Sequence, residues 1–206
     1  MIAAFLSAAR AVSPLLHSRE LAEAWAKPSA LPEFRVSGLA GHLAGQVANV
    51  SRFLDAPVPV DAPVMEAVRY YSQHGEVDVH SERSTRIRVL GEENAGSPAD
   101  LAARYDRSVR AADSRLSGLA ADHLVLMFGQ WVLPLDQCLL TRILELVIHA
   151  DDLAVSLGVP TPSFDADVVD ATVTTLARIS VAKRGALPLL RALSRRERAD
   201  DIVSAF

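Results

Sequence analysis

Apolar residues recur through most of this chain at spacings of three and four, the repeat that gathers them on one side of a helix. Residues 2–25 carry it first, with Pro14 as a break or kink, because proline lacks the backbone donor that a helix interior uses. Pro28 and Pro32 predict a loop over 26–34. A second helix is expected over 36–54, ended by the proline-rich stretch 55–63, and a short one over 62–73. Ser97 and Pro98 suit the N-cap and first position of a helix over 99–119. The longest apolar pattern, 135–157, stops at Gly158 with Pro160 beyond it.

Two stretches resist this repeat. Over 76–91, Val77, Val79, Ile87 and Val89 alternate as in a strand, while residues 81–86 read equally as helix; with no sheet partner in view, helix is the expectation. Over 122–134 the chain is apolar and aromatic, is interrupted by Gly129, and reads as a packed loop. A linker at 159–164, a Val- and Thr-rich helix at 165–181 and a basic, apolar helix pair over 184–206 complete it. The expectation is an all-α fold: a four-helix bundle with additional short helices over residues 1–158, and a helical C-terminal extension, 159–206, packed on the bundle.

Composition narrows the function classes. Half of the 206 residues are hydrophobic and 5% are aromatic, which suits helices around a sizeable core. A net charge of −4 gives no general attraction to nucleic acid or anionic lipid. The single cysteine, Cys138, excludes an internal disulfide and fits a cytoplasmic setting. The N-terminus has no basic flank, and Arg10 interrupts its apolar run, so neither a signal peptide nor a spanning segment is expected.

The chemistry concentrates between 135 and 157. Glu145 and His149 are one turn apart and point the same way, as two ligands of one divalent cation would. At about 100° per residue, one arc of this helix holds Cys138, Thr141, Arg142, Glu145, His149, Asp152 and Ser156. Nearly everything else from 139 to 157 is aliphatic, with Asp151 the main exception. That reverses the proportions of a surface helix and predicts a polar stripe lining an internal cleft. The bland alternative is a wet stripe with ion pairs worth only about 0.3–0.5 kcal/mol. His42 is the best third ligand: it shares a helix face with Gly38, Gly45, Gln46 and Asn49, although taken alone a core histidine bonded to a carbonyl is the readier reading. Glycines there cost roughly 1 kcal/mol each, easier to understand if another helix or a ligand approaches closely. His17 and His123 are weaker candidates, and His74 and His80 read as solvent-facing.

Other residues on these faces carry open alternatives. Arg142 suits a substrate carboxylate, and Asp152 suits a proton acceptor or a partner for His149, or both are structural charges. Gln46 and Asn49 are candidates for lining a cofactor pocket, or are polar residues facing solvent. Cys138, about 10 Å before Glu145 along the helix, reads as a buried small hydrophobe. Phe128 and Trp131 read as core or wall.

Two motifs bring in a resemblance. The stretch from Trp25 through Pro28-Ser29 to Ser37-Gly-Leu-Ala-Gly-His42-Leu-Ala-Gly, and Arg142-Ile-Leu-Glu145-Leu-Val-Ile-His149-Ala-Asp-Asp152-Leu-Ala, resemble in order the two signatures of the mycothiol-dependent maleylpyruvate isomerase family. The resemblance covers about residues 2–158. It implies a DinB-like four-helix bundle and a divalent metal, usually zinc, held by His42, Glu145 and His149. It also implies mycothiol as cosubstrate, a small electrophilic substrate and a homodimer as oligomeric state. The isomerase proper carries a further α/β domain, whereas the residues after Gly158 here read as helices, so the resemblance supports the metal better than the substrate. Cation-assisted deprotonation of a thiol would serve isomerisation or S-transfer. The alternatives are a metal-dependent hydrolase, a non-catalytic metal-binding sensor or interaction module using the basic run Arg191 to Arg198, and a metal-free bundle.

Overall fold

Four long helices close a ring in the computed structural model, which describes residues 1–73, 78–195 and 197. They are α1 (Ile2–Leu16), α3 (Val36–Asp55), α6 (Pro98–Leu116) and α7 (Leu135–Leu157). α1 packs on α6 and α7, and α3 packs on the same two from the other side. Phe5, Leu39, Leu43, Tyr105, Leu116 and Leu139 are fully buried between them. Around the ring lie α2 (Arg19–Ala24), α4 (Ala67–Ser72), α5 (Glu82–Ala95), α8 (Ala166–Arg184) and α9 (Ala186–Ser194). The fold is the expected helical bundle. Among the described residues no helix is long and apolar enough to cross a membrane.

Local chemistry accounts for most of the boundaries. Pro14 sits inside the last turn of α1, the helix stops at Leu16, and Ser18 starts α2 by accepting from the Leu21 amide. Ser97 accepts from the Asp100 amide with Pro98 in the first turn of α6, as the sequence predicts. α7 ends on Gly158 in the left-handed conformation, with φ 68° and ψ 31°. Ser81 caps α5, so the ambiguous stretch is helical from Glu82, and Glu76 and Val77 lie outside the described residues.

Several expectations need correction. Residues 122–134 are not a loop: β1 (Leu124–Met127) and β2 (Trp131–Pro134) pair antiparallel, Met127 opposite Trp131. Both strands are continuous apolar runs without alternation, so periodicity could not separate them from helix. Gly129, read as an interruption, is part of the turn, with φ 70° there and 53° at Phe128. The short helix covers only Ala67–Ser72; ahead of it Val64 bridges to Val132 in parallel, and the Met65 amide donates to the Val132 carbonyl at 2.9 Å. α6 stops at Leu116 and α8 continues to Arg184. α8 packs on α4, α7 and α1, and α9 packs on α8. Of the expected tail helix pair only α9 falls among the described residues, together with Arg195 and Glu197.

α5 explains two of the glycines beside His42. A Cβ on Gly41 would lie 2.1 Å from the Gly91 carbonyl oxygen, and one on Gly91 would lie 2.4 Å from that of Gly38. The two helices therefore touch backbone to backbone. Gly45 differs: a Cβ there would meet only Asn49 Nδ2, at 3.8 Å. Gly41→Ala is expected to lower stability by about 3 kcal/mol or more. Gly45→Ala is expected to raise it by about 1 kcal/mol, the helix-propensity difference. Urea unfolding of the two variants checks the opposite signs.

Candidate metal centre

The start of α3 is fixed by a small knot of backbone. Pro28 bridges Arg35, the Val36 amide donates to the Lys27 carbonyl, and the Ser37 amide donates to that of Trp25. Ser156 on α7 accepts from the Ala30 amide at 2.8 Å and ties the 26–34 loop to the end of the polar arc. With both helices so anchored, His42 on α3 faces Glu145 and His149 on α7. Along α7 only Asp151 and Val155 are exposed. The polar arc is internal.

Glu145 Oε2 lies 3.3 Å from His42 Nε2 and 3.3 Å from His149 Nε2. The three donor atoms all fall within 4.8 Å of one another. Donors of a tetrahedral zinc with bonds of about 2.0–2.1 Å lie roughly 3.3–3.4 Å apart, so the two measured edges fit the ion. Two nitrogens and one oxygen are also a donor set zinc accepts. Each side chain keeps about a fifth of its surface exposed, so the cluster is in reach of solvent.

The surrounding groups orient the three side chains. Asp152 Oδ2 sits 2.9 Å from His149 Nδ1, an arrangement that holds a proton on Nδ1 and turns Nε2 toward the cluster. Burial opposes charge on His149, yet Asp152 and Glu145 outweigh it and raise its pKa to about 9. Burial dominates at His42 and lowers its pKa despite the bond to Glu145. For Glu145, burial would raise the pKa, but hydrogen bonds from His149 and His42 hold it well below the usual carboxylate range. The cluster therefore carries one imidazolium, not two.

Arg142 is 2% exposed. Its Nε donates to Thr141 Oγ1 at 3.1 Å and its Nη1 to Gln46 Oε1. Its guanidinium carbon lies 5.4 Å from the centroid of the Phe128 ring. Among the described residues no carboxylate forms an ion pair with it; Glu145 acts on it at longer range. Gln46 is buried, and its amide nitrogen donates to the His42 carbonyl at 2.9 Å while lying 3.1 Å from His42 Nε2. Asn49 is partly buried and accepts from Arg52 at 3.4 Å; the structure records no contact between it and the cluster.

The remaining sequence candidates fall elsewhere. Cys138 is buried, with its thiol pushed by burial up to about 11. His17 pairs with Asp106 at 2.9 Å on the outside of the ring. His80 and His123 are exposed, and His74 lies outside the described residues. Phe128 does more than line a wall, since it covers Arg142 and packs edge-on against Phe53. The sequence reading missed Tyr71. Its buried hydroxyl lies 2.9 Å from Glu145 Oε1 and 3.1 Å from the Thr141 carbonyl, and burial, reinforced by Glu145, keeps its pKa well above the ordinary value. Nothing in the local pattern of α4 marks it; only the fold brings it to the site.

The comparisons bear on the family and the fold. The family model described as the mycothiol maleylpyruvate isomerase N-terminal domain matches residues 6–154. Two crystal structures are similar to the chain. A mycothiol-dependent maleylpyruvate isomerase superimposes with a TM-score of 0.51 at 20% identity, and a mutant of such an isomerase with 0.52 at 19%. Each superposition covers 87% of this chain and 70% of the other. At these identities the likeness is one of fold. Among curated proteins no sequence match is found.

Cation uptake at this cluster would be linked to a proton. With its pKa raised to about 9, His149 is protonated at pH 7.5 and must lose that proton to become a ligand, whereas His42 is already neutral. Zinc binding is expected to release about one proton per ion at pH 7.5, with affinity rising as the pH approaches 9. Asp152→Asn removes the bond that raises His149 most and should release fewer. Calorimetry in buffers of different ionisation enthalpy measures both.

Proposed function

The chain belongs to the mycothiol maleylpyruvate isomerase N-terminal domain family, and on that basis we propose that it is a zinc-dependent enzyme activating a small thiol, mycothiol in the first instance, toward a small electrophile. The observation that carries the reading is the meeting of two imidazole nitrogens and one carboxylate oxygen, from helices far apart in sequence, on a partly open face of the bundle. His42, Glu145 and His149 would hold the ion. When bound, a divalent cation supplies the positive charge that makes a thiol a thiolate at neutral pH.

The other residues prepare that chemistry. Asp152 keeps His149 turned inward through Nδ1. Arg142 acts through its buried charge and through Gln46, whose oxygen it engages, so that the Gln46 NH₂ is aimed at the His42 side of the cluster. From there Gln46 is placed to donate to a group bound beside His42. Asn49, two turns beyond His42 on α3, is assigned to the outer part of the thiol. The attack of the sulfur on an activated double bond would lead to isomerisation, and on a carbon bearing a leaving group to S-transfer. The bundle is the unit that would carry this site, and among the described residues α8 packs on it and α9 packs on α8.

Metal analysis of wild type and His149→Ala is the first test. Stoichiometric zinc in the wild type with less than a tenth of it in the variant supports the site, and equal metal in both overturns it. Conversion of maleylpyruvate, or conjugation of mycothiol to a test electrophile, should then fall at least 100-fold on chelation and return with zinc. Stoichiometric metal without turnover of any thiol and electrophile pair would assign the site to metal binding alone.

A further inference from the structure

Glu145 has two carboxylate oxygens, and the structure gives them different surroundings. Oε2 faces both imidazoles at 3.3 Å. Oε1 lies 2.9 Å from the Tyr71 hydroxyl. We propose that Tyr71 is a positioning residue that reserves Oε1 of Glu145, so that the carboxylate meets the cation through Oε2 alone and a coordination position stays open for the reacting ligand. This rests on the metal-binding reading above.

The hydroxyl has one proton, and among the described residues two acceptors are recorded in its reach. The second, the Thr141 carbonyl at 3.1 Å, already receives the Glu145 amide in the i to i−4 pattern of α7. The carboxylate oxygen is nearer and charged, and makes the stronger bond. Tyr71 is 7% exposed, so the proton has little water to turn to. An oxygen that accepts a phenol proton is a poorer metal donor than its free twin. A carboxylate left unrestrained can lay both oxygens on one ion and fill the place a thiol needs.

The support for Tyr71 comes from outside the helical ring. α4 is a single short helix whose first amide, Ala67 N, donates to Gln137 Oε1 at 3.1 Å, at the start of α7. Met65 ahead of it is tied to β2 at Val132, and Tyr70 packs edge-on against Trp131 of the same strand, with centroids 6.2 Å apart. α8 packs on α4 as well. The hairpin and α8, which contribute no residue to the cluster, thereby hold the phenol in register with Glu145.

Cobalt substitution reads the coordination directly, because four-coordinate cobalt(II) absorbs visible light several times more strongly than five-coordinate. Tyr71→Phe keeps the ring and removes the hydroxyl. The wild type is expected to give intense bands and the variant bands at least twofold weaker, with the helical circular dichroism unchanged. Superimposable spectra would overturn the proposal. If Tyr71→Phe does not fold, protein grown with 3-fluorotyrosine keeps every hydroxyl. Zinc should then move the fluorine resonance of Tyr71, assigned with Tyr70→Phe and Tyr105→Phe, and a resonance indifferent to saturating zinc would equally overturn it. A wild type that takes up no cobalt, or a His149→Ala variant that takes up as much, would instead remove the metal reading on which the proposal stands.

Discussion

A carboxylate can be placed among aliphatic side chains only if other groups satisfy its charge and its lone pairs. Glu145 meets that demand inside the ring of α1, α3, α6 and α7 by gathering two imidazoles at one oxygen and a phenol at the other. Each partner comes with its own requirement. His149 needs Asp152 behind it, His42 needs α3 set at a fixed height, and Tyr71 needs α4 held against the bundle. Much of the irregular structure around the ring supplies these supports. A site built this way is partly preorganised by the fold before any ion arrives, because the side chains that would bind the ion also satisfy one another.

The height of α3 is set from outside the ring. Gly38 and Gly41 let α5 settle onto its backbone, and any side chain at Gly41 or Gly91 would push the two helices apart. α5 is strongly polar and would have little reason to bind the bundle through apolar area alone; close backbone contact over the glycines gives it a seat. The same glycines lie beside His42, so the cost of placing them in a helix is tied to where His42 ends up. Gly45 is outside this account. It lies on the histidine's side of α3 with open space next to it, and no packing in the structure explains it.

Legibility in the sequence followed the range of the interactions. α7 could be read from end to end because its cap, its period and its polar arc are all local, and Glu145 and His149 came with it. His42 stood out less for its own surroundings than for the motif around it. What escaped depends on contacts between segments. The strands of the hairpin are four residues long and apolar on both faces, so they have no period to read, and pairing alone makes them strands. Tyr71 sits in a six-residue helix whose neighbours are chosen by α8 and Trp131. Arg142 was legible as a polar residue on the arc, but its near-complete burial under Phe128 was not.

That burial bears on the sign of the charge the site presents. Arg142 touches neither ligand imidazole, and its cover is held at some cost: Phe128 adopts a positive φ, which a bulky side chain accepts at about 1–2 kcal/mol. Contacts with the Phe53 ring and the guanidinium, of about 0.5–1.5 and 0.5–2 kcal/mol, are of the size needed to offset it. In the metal-free cluster the charges of Glu145 and Asp152 are balanced by His149 and Arg142. A divalent ion would displace one proton and leave a single positive charge, and without Arg142 it would leave none. On the proposed reading, the pull on an anionic sulfur therefore depends on a cation that never meets it, sealed beneath an aromatic ring and coupled to the site through the amide of Gln46.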